Sequence, residues 1–128
     1  MAQILLVEPD RLLARTYAEA LSGDGHEVVV AANAQAAVSS ADTTRPDLVI
    51  LELQLIEHSG IEFLYEFRSY QEWQDIPVLI HTMVPPTEFA DSREILAGEL
   101  SVNIYLYKPR TSLRQLIGHV REQLSVPA

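Results

Sequence analysis

Four polar residues in this sequence stand directly after short apolar runs. Glu8 and Glu52 follow the runs ILLV and LVIL, and Thr82 and Lys108 follow PVLIH and VNIYLY. Two carboxylates suit a hard divalent cation, whereas a hydroxyl and an ammonium suit the oxygens of a phosphate. If the fold brings the four together, they have the donors and acceptors to bind a divalent cation and a phosphoryl group.

The elements that must position these residues follow from the hydrophobic pattern. Short apolar runs bounded by turn signals are typical of buried strands, and apolar residues at helical spacing lie between them. The predicted strands cover residues 3–7, 27–31, 48–51, 76–80 and 102–107. The predicted helices start at Asp10, at Asn33, after Gly60, at Thr87 and at Ser112, the last with a capping box to Gln115.

Five strand and helix alternations with short connections predict an α/β fold, a parallel sheet with helices on both faces. In such folds the carboxyl ends of the strands meet at one edge, where ligand chemistry collects. The four polar residues are therefore expected to lie together at that edge.

Composition narrows the function. The chain has 128 residues, the usual size of one domain, and a net charge of −9, which argues against binding nucleic acid or an anionic membrane. It has no Cys, so disulfide and thiol chemistry are excluded. No apolar run is long enough to span a membrane, and the N-terminus lacks the features of a signal peptide. We therefore expect a cytoplasmic protein.

Taken together, the motifs ILLVE, PDLVILELQLIEHSG, PVLIHT and YLYKP, in this order and spacing, resemble the receiver domain of two-component signalling, the chemotaxis-regulator-like domain of response regulators. The resemblance covers nearly the whole chain. It implies a flavodoxin-like (βα)5 three-layer sandwich with strand order 2-1-3-4-5. We expect residues 1–128 to form one receiver domain without an output domain.

The resemblance also implies roles for individual residues. Glu52 stands at the phosphoacceptor position and Lys108 at the position of the family lysine. Thr82 corresponds to the switch threonine and Tyr105 to the switch aromatic, while Gly60 corresponds to the loop glycine.

The implied metal ligands for Mg²⁺ are Glu8, Glu52 and the backbone carbonyl of Gln54, but the site departs from the family pattern. The acceptor Asp is Glu52, the second acid after strand one is Pro9, and the family proline beyond the acceptor is Ile56. Glu is longer than Asp by about 1.5 Å, and a misplacement near 1 Å costs on the order of 100-fold in rate. Loss of an acid weakens Mg²⁺ binding. We therefore expect neither phosphorylation at a useful rate nor a required cofactor.

The longer side chain also supports a positive hypothesis. The Glu52 carboxylate can reach the space that a phosphoryl group would fill, pair with Lys108 or bond to Thr82, and so hold an active shape. One carboxylate only partly reproduces a phosphoryl group. A structure with Thr82 and Tyr105 both turned away from Glu52 would count against this hypothesis.

Simpler interpretations stand beside these. Glu8 can pair with Lys108 without meeting a metal, and Tyr105 can be an ordinary strand aromatic. His81, next to the site, is interpreted as structural. Trp73 lies in a polar stretch predicted to be a loop and receives no role.

The favoured function is an atypical stand-alone receiver that is not an enzyme and acts by binding a protein. The resemblance implies a face of helix four, strand five and helix five, here residues 89–97, 102–107 and 112–124, which meets a histidine kinase, a target protein or a second copy. Arg110, Arg114 and Arg121 concentrate positive charge near the C-terminus, which can steer an acidic partner or a second copy. Alternatively, they are ordinary solvated arginines. One alternative is a working receiver that takes a phosphoryl group from a histidine kinase with Mg²⁺. Another is a flavodoxin-like enzyme, which the acidic, glycine-free segment of residues 8–11 disfavours.

Overall fold

Parallel strands and helices alternate along the chain, as the sequence predicts. The structure is a computed structural model that describes residues 2–88, 93–102 and 104–125. The strands in these residues are β1 (Gln3–Val7), β2 (Glu27–Ala31), β3 (Leu48–Leu51), β4 (Val78–Thr82) and β5 (Ile104–Tyr107). The helices are α1 (Arg11–Gly23), α2 (Ala34–Thr43), α3 (Gly60–Ser69), α4 (Arg93–Ala97) and α5 (Leu113–Ser125). The strand order is β2-β1-β3-β4-β5, with every pair parallel, so the predicted fold class is confirmed.

Side chains that alternate along β1 divide the core into two layers. Leu5 and Val7 pack with residues of α2, α3 and α4 on one face of the sheet. Ile4 and Leu6 pack with residues of α1 and α5 on the other face. Successive strand residues point to opposite faces, and both faces are covered at the central strands β1, β3 and β4, which is why these strands are nearly unbroken apolar runs. The edge strand β2 is more exposed.

Predicted caps define where three helices begin. The Asp10 side chain accepts from the Leu13 amide at 3.0 Å, and Asn33 accepts from the Ala36 amide at 2.8 Å. At α5, the Ser112 and Gln115 side chains accept from each other's backbone amides, at 3.1 and 2.8 Å. Each bond satisfies an amide that the first turn of a helix leaves without a partner.

Three predicted boundaries change. The fourth strand was predicted at 76–80 but is Val78–Thr82, because His81 and Thr82 continue the pairing with β5. The fifth strand begins at Ile104 instead of residue 102, and residue 103 lies outside the described part. Of the helix predicted over 87–97, the described residues show a 3-10 turn at 86–88 and α4 at Arg93–Ala97. Residues 89–92 of that prediction are outside the described part.

The segment predicted as a loop around Trp73 is a 3-10 turn, Gln71–Trp73, that belongs to the core. Trp73 is buried and stacks on Phe67, with ring centroids 5.0 Å apart. Trp73 therefore has a structural role that its polar sequence neighbours do not indicate: its ring packs in the core beside α3. Across the described residues, no helix has the length and apolar character needed to cross a membrane.

Candidate functional site

The four polar residues singled out in the sequence meet at the carboxyl edge of the sheet. Glu8, Glu52 and Lys108 each follow the last residue of their strand, and Thr82 is the last residue of β4. Their side chains are removed from water: Glu8 is 3% exposed, Glu52 4% and Thr82 0%, and the Lys108 side chain is 5% exposed. Charges this deeply buried are stable only when they are paired.

Lys108, the single lysine of the sequence, joins the two carboxylates. Its Nζ lies 2.5 Å from Glu8 Oε1 and 2.7 Å from Glu52 Oε1. The second oxygen of Glu8 accepts from the Asp10 amide at 3.2 Å, where α1 begins. The Glu8–Lys108 pair considered from the sequence is therefore present, and the same ammonium also serves Glu52.

The Glu52 carboxylate accepts hydrogen bonds on both oxygens. Oε1 receives the Lys108 ammonium and the Met83 amide, the latter at 3.2 Å. Oε2 receives the Thr82 hydroxyl and the Gln54 amide, the latter at 3.1 Å. An ammonium, a hydroxyl and two amides thus surround one carboxylate, a set of donors that also suits phosphoryl oxygens.

These contacts shift the pKa of both charged partners. Burial would raise the pKa of Glu52, but hydrogen bonds from Lys108, Thr82 and the Gln54 amide outweigh it and hold the pKa below its usual value of 4.5. Burial would lower the pKa of Lys108, but its bonds to Glu52 and Glu8 raise it above 10.5. Both groups are therefore charged at neutral pH.

Tyr105 also faces inward. Its hydroxyl donates to the Val84 carbonyl at 2.8 Å, and the ring packs against the core. Burial, together with the negative charges of Glu52 and Glu88, raises the pKa of Tyr105 to about 12. Thr82 contacts the same loop, because its Oγ1 accepts from the Val84 amide at 3.1 Å. Neither side chain turns away from the site.

Gly60 closes the loop that follows Glu52. Its amide donates to the Leu53 carbonyl at 2.7 Å, and a Cβ built at this position would lie 2.7 Å from Leu53 Cα and 2.9 Å from the Glu52 carbonyl oxygen. Real Cβ atoms do not approach backbone this closely. The loop glycine is required by the close approach of α3 to the end of β3.

His81 directly precedes Thr82 in β4. It is 3% exposed, and its ring meets Tyr17 edge to face with centroids 4.8 Å apart. Burial, followed by the charge of Lys108, lowers the pKa of His81 to about 4, against a smaller opposing effect of Glu52. His81 is therefore neutral at pH 7 and packs as an aromatic residue, in agreement with the structural interpretation.

Sequence reasoning missed several contacts. The amides of Met83 and Gln54 belong to the backbone, so no residue type marks them. Arg68 is buried and donates to the carbonyls of Leu100, Trp73 and Gln74 at 2.9, 2.8 and 3.2 Å. Its place one residue after Phe67 gave the only signal, an arginine beside the apolar stripe of a helix. Arg121 makes two hydrogen bonds with Asp24, which ties α5 to the end of α1.

Among the described residues, no group of three or more His, Cys, Asp or Glu side chains is arranged to hold a metal. Glu8 and Glu52 are the acids at the strand ends, and Lys108 is bonded to both. Pro9 lies next to Glu8, half-buried, where it adds no ligand. Gln54 is exposed, and its backbone forms a bridge with Ser59.

Comparison with known proteins agrees with this geometry. A family described as "Response regulator receiver domain" matches residues 4–121. The KDP operon transcriptional regulatory protein KdpE of Escherichia coli is 34% identical over 109 residues, 85% of this chain and 45% of KdpE. The chain thus spans about half the length of the curated relatives it matches.

Solved structures show the same fold. The non-phosphorylated HemR receiver domain from Leptospira biflexa superposes with a TM-score of 0.85 at 24% identity, covering 100% of this chain and 98% of HemR. The Mn²⁺-bound form of the response regulator Rcp1 superposes with a TM-score of 0.80 at 26% identity, covering 100% and 98%.

Proposed function

This chain belongs to the response regulator receiver family, and from that premise we propose that it is an atypical receiver whose signal is given by binding rather than by phosphorylation. In this proposal the Glu52 carboxylate stands in the place of a phosphoryl group. The domain is then held in one state by its own side chain, without Mg²⁺ and without a phosphodonor.

The observation that carries the proposal is the set of donors around Glu52. Lys108, Thr82 and the Met83 amide all bond to its carboxylate, with the lysine nitrogen at 2.7 Å and the amide at 3.2 Å. Aspartate is one methylene shorter, about 1.5 Å, so its oxygens would stop short of these donors and leave room for a phosphoryl group. The extra methylene of Glu52 places the carboxylate in that room.

The fit to Mg²⁺ is poor. Mg²⁺ requires nearly octahedral coordination, and it is usually bound through one or two carboxylates while it keeps several waters. Here Glu8 and Glu52 already bond to one ammonium, at 2.5 and 2.7 Å, and Pro9 supplies no third acid. A divalent cation would have to displace Lys108 or be repelled by it. Mg²⁺ is therefore not expected to bind at physiological concentration.

Receiver domains interact with histidine kinases and other proteins, and we extend the proposal to the face used. Thr82 and Tyr105 both bond to Val84 and so hold the segment that directly follows β4. We propose that the partner binds to the face of α4, β5 and α5, which follow this segment in the sequence. Arg110 and Arg114 are exposed and can attract an acidic partner to the neighbourhood of α5, although Arg114 borders the groove between α1 and α5. Arg121 is engaged by Asp24.

Intact mass spectrometry after incubation with Mg²⁺ and acetyl phosphate tests the proposal. The native protein is expected to remain unmodified. The Pro9→Asp/Glu52→Asp double variant, which restores both family acids, is expected to gain one phosphoryl group. Glu99→Asp, which shortens an exposed glutamate far from the strand ends, serves as the matched control and should behave as the native protein.

Labelling of the native protein to the extent of the double variant would overturn the proposal. Labelling of neither would also count against it, because the restored acids should return the chemistry if only those two residues removed it. Circular dichroism of each variant shows whether it is folded.

One alternative function has an observation in its favour. Glu8 still supplies an acid at the strand ends, and Rcp1, 26% identical, has a Mn²⁺-bound form. A phosphorylatable receiver with a bound divalent cation would use this acid. The same experiment separates the two, since that alternative requires Mg²⁺-dependent labelling of the native protein.

A further inference from the structure

A groove between α2 and α3 stands apart from the strand-end site. It has a volume of about 610 Å³, within the range of about 300–1,000 Å³ typical of ligand pockets. From α2 it is lined by Val38 and Ser39, which have small side chains, and from α3 by Phe63.

The rim of the groove is acidic. Asp42 on α2 and Glu62 and Glu66 on α3 line it, and its lining contains no lysine or arginine. The Glu62 carboxylate lies 3.2 Å from His58 Nδ1. For Asp42 and Glu66, no hydrogen bond or ion pair of the side chain is present within the described residues. These like charges face one gap, and a cation placed between them would relieve their repulsion.

The groove is lined by aromatic side chains where α3 ends. Tyr70 and Trp73 line it with ring centroids 4.7 Å apart, and Tyr70 is 39% exposed. An aromatic face beside carboxylates recognises a guanidinium well, because the guanidinium stacks on the ring and donates paired hydrogen bonds to a carboxylate. A hydrated point charge such as ammonium uses the ring less effectively.

We propose that the α2–α3 groove, lined by Asp42, Glu62, Glu66 and Tyr70, binds an arginine-bearing segment of a partner protein. A second copy of this chain is a less suitable occupant, because each copy carries a net charge of −9 and two copies repel one another. The proposal does not depend on the state of Glu52, since the groove shares no residue with the strand-end site.

Titration of the ¹⁵N-labelled full chain with a blocked peptide, Ala-Arg-Leu-Arg-Ala, at low salt tests this inference by NMR. Amide shifts are expected at Ser39, Glu66 and Tyr70. The Glu62→Gln/Glu66→Gln variant should weaken binding at least tenfold. Glu99→Gln, which removes one exposed charge elsewhere, should change affinity by less than twofold. A version of the peptide with citrulline, the neutral isostere of arginine, should not bind.

Several results would overturn the inference. One is that the peptide changes no amide shifts of groove residues, or changes those of another face instead. Equal binding of the citrulline peptide would show that charge is not recognised. Equal shifts with spermidine would assign the groove to free cations. Sedimentation velocity tests for a dimer of the native protein that is lost in the Glu62→Gln/Glu66→Gln variant. That result would assign the groove to a second copy of the chain.

Discussion

The strand-end site and the α2–α3 groove use the same chemical group in opposite ways. At the strand ends, the carboxylates of Glu8 and Glu52 are buried and bonded to Lys108, so their charge is satisfied within the fold. In the groove, the carboxylates of Asp42 and Glu66 are exposed to solvent, and no described residue pairs with them. Charges that are already paired within the fold gain little by binding a ligand. Unpaired charges around a cavity attract a ligand of opposite charge.

Removal of Lys108 should produce the largest effect on stability. Lys108→Met leaves two buried carboxylates without their counter-charge, and breaking a buried ion pair in this way costs about 3–5 kcal/mol. Urea unfolding monitored by circular dichroism measures the loss. Addition of Glu8→Gln and Glu52→Gln to the same variant should recover part of it. A loss below about 1 kcal/mol would mean that the site is hydrated rather than sealed.

Gly60→Ala tests whether the loop around Glu52 is tightly closed. The new Cβ would meet Leu53 Cα at 2.7 Å, so the backbone must shift, at a cost of about 1–3 kcal/mol. Gly118→Ala in α5 is the matched control, because nothing lies within 4 Å of its Cβ. That variant should gain up to about 1 kcal/mol from helix propensity. Equal effects of the two variants would refute the close approach.

The dependence of stability on pH should follow the paired groups. The folded pKa of Glu52 is lowered, so its contribution is present above 4.5 and is lost as the pH falls through the folded pKa. The folded pKa of Lys108 is raised, so its contribution is complete below 10.5 and is lost as the pH rises through the folded pKa. Equilibrium unfolding from pH 3 to 11 measures the loss of stability in acid and in base. Glu52→Gln should reduce the loss in acid.

His81 contributes to the loss of stability in acid at higher pH than Glu52 does. Its pKa falls from 6.5 to about 4 on folding, so the folded state binds fewer protons and loses stability as the pH falls between these values. The slope for one proton approaches about 1.4 kcal/mol per pH unit. His81→Phe, which keeps a ring against Tyr17, should flatten this part of the curve. An unchanged slope between pH 6.5 and 4 would contradict the assignment to His81.

Charge removal in the groove should have the smallest effect on stability. Because the Glu66 carboxylate has no partner among the described residues, Glu66→Gln should change the free energy of unfolding by no more than about 0.5 kcal/mol. A small gain is expected from reduced repulsion with Asp42. A loss above about 1 kcal/mol would show that the carboxylate supports the fold instead of facing a ligand.

The sequence predicts the strand-end site better than the groove, for a physical reason. Glu8, Glu52 and Lys108 each follow a strand and Thr82 ends one, and parallel strands bring their carboxyl ends to one edge. Sequence order alone therefore places them together. The groove is lined by residues of two helices, α2 and α3, and the space between two helices depends on tertiary packing, which leaves no periodic signal in the sequence.

Within the strand-end site, the sequence indicates which side chains take part, but it does not indicate which backbone amides donate to Glu52. The amide of Met83 reaches Glu52 because β4 extends to Thr82, two residues beyond the predicted end of the strand. A polar His-Thr pair resembles a strand end, and only the pairing with β5 shows that it continues. The role of Trp73 has no signal in the sequence for a similar reason: its sequence neighbours are polar, although tertiary packing buries the ring.

The claim that Glu52 takes the place of a phosphoryl group is tested most directly by NMR of the loop that Thr82 and Tyr105 contact. Amide shifts of Met83 and Val84 and ring shifts of Tyr105 would be compared in the native protein and in Pro9→Asp/Glu52→Asp, the latter with and without Mg²⁺ and beryllofluoride, a phosphoryl analogue. The account predicts that the native shifts coincide with those of the variant bound to beryllofluoride. Native shifts that match the unbound variant would contradict it.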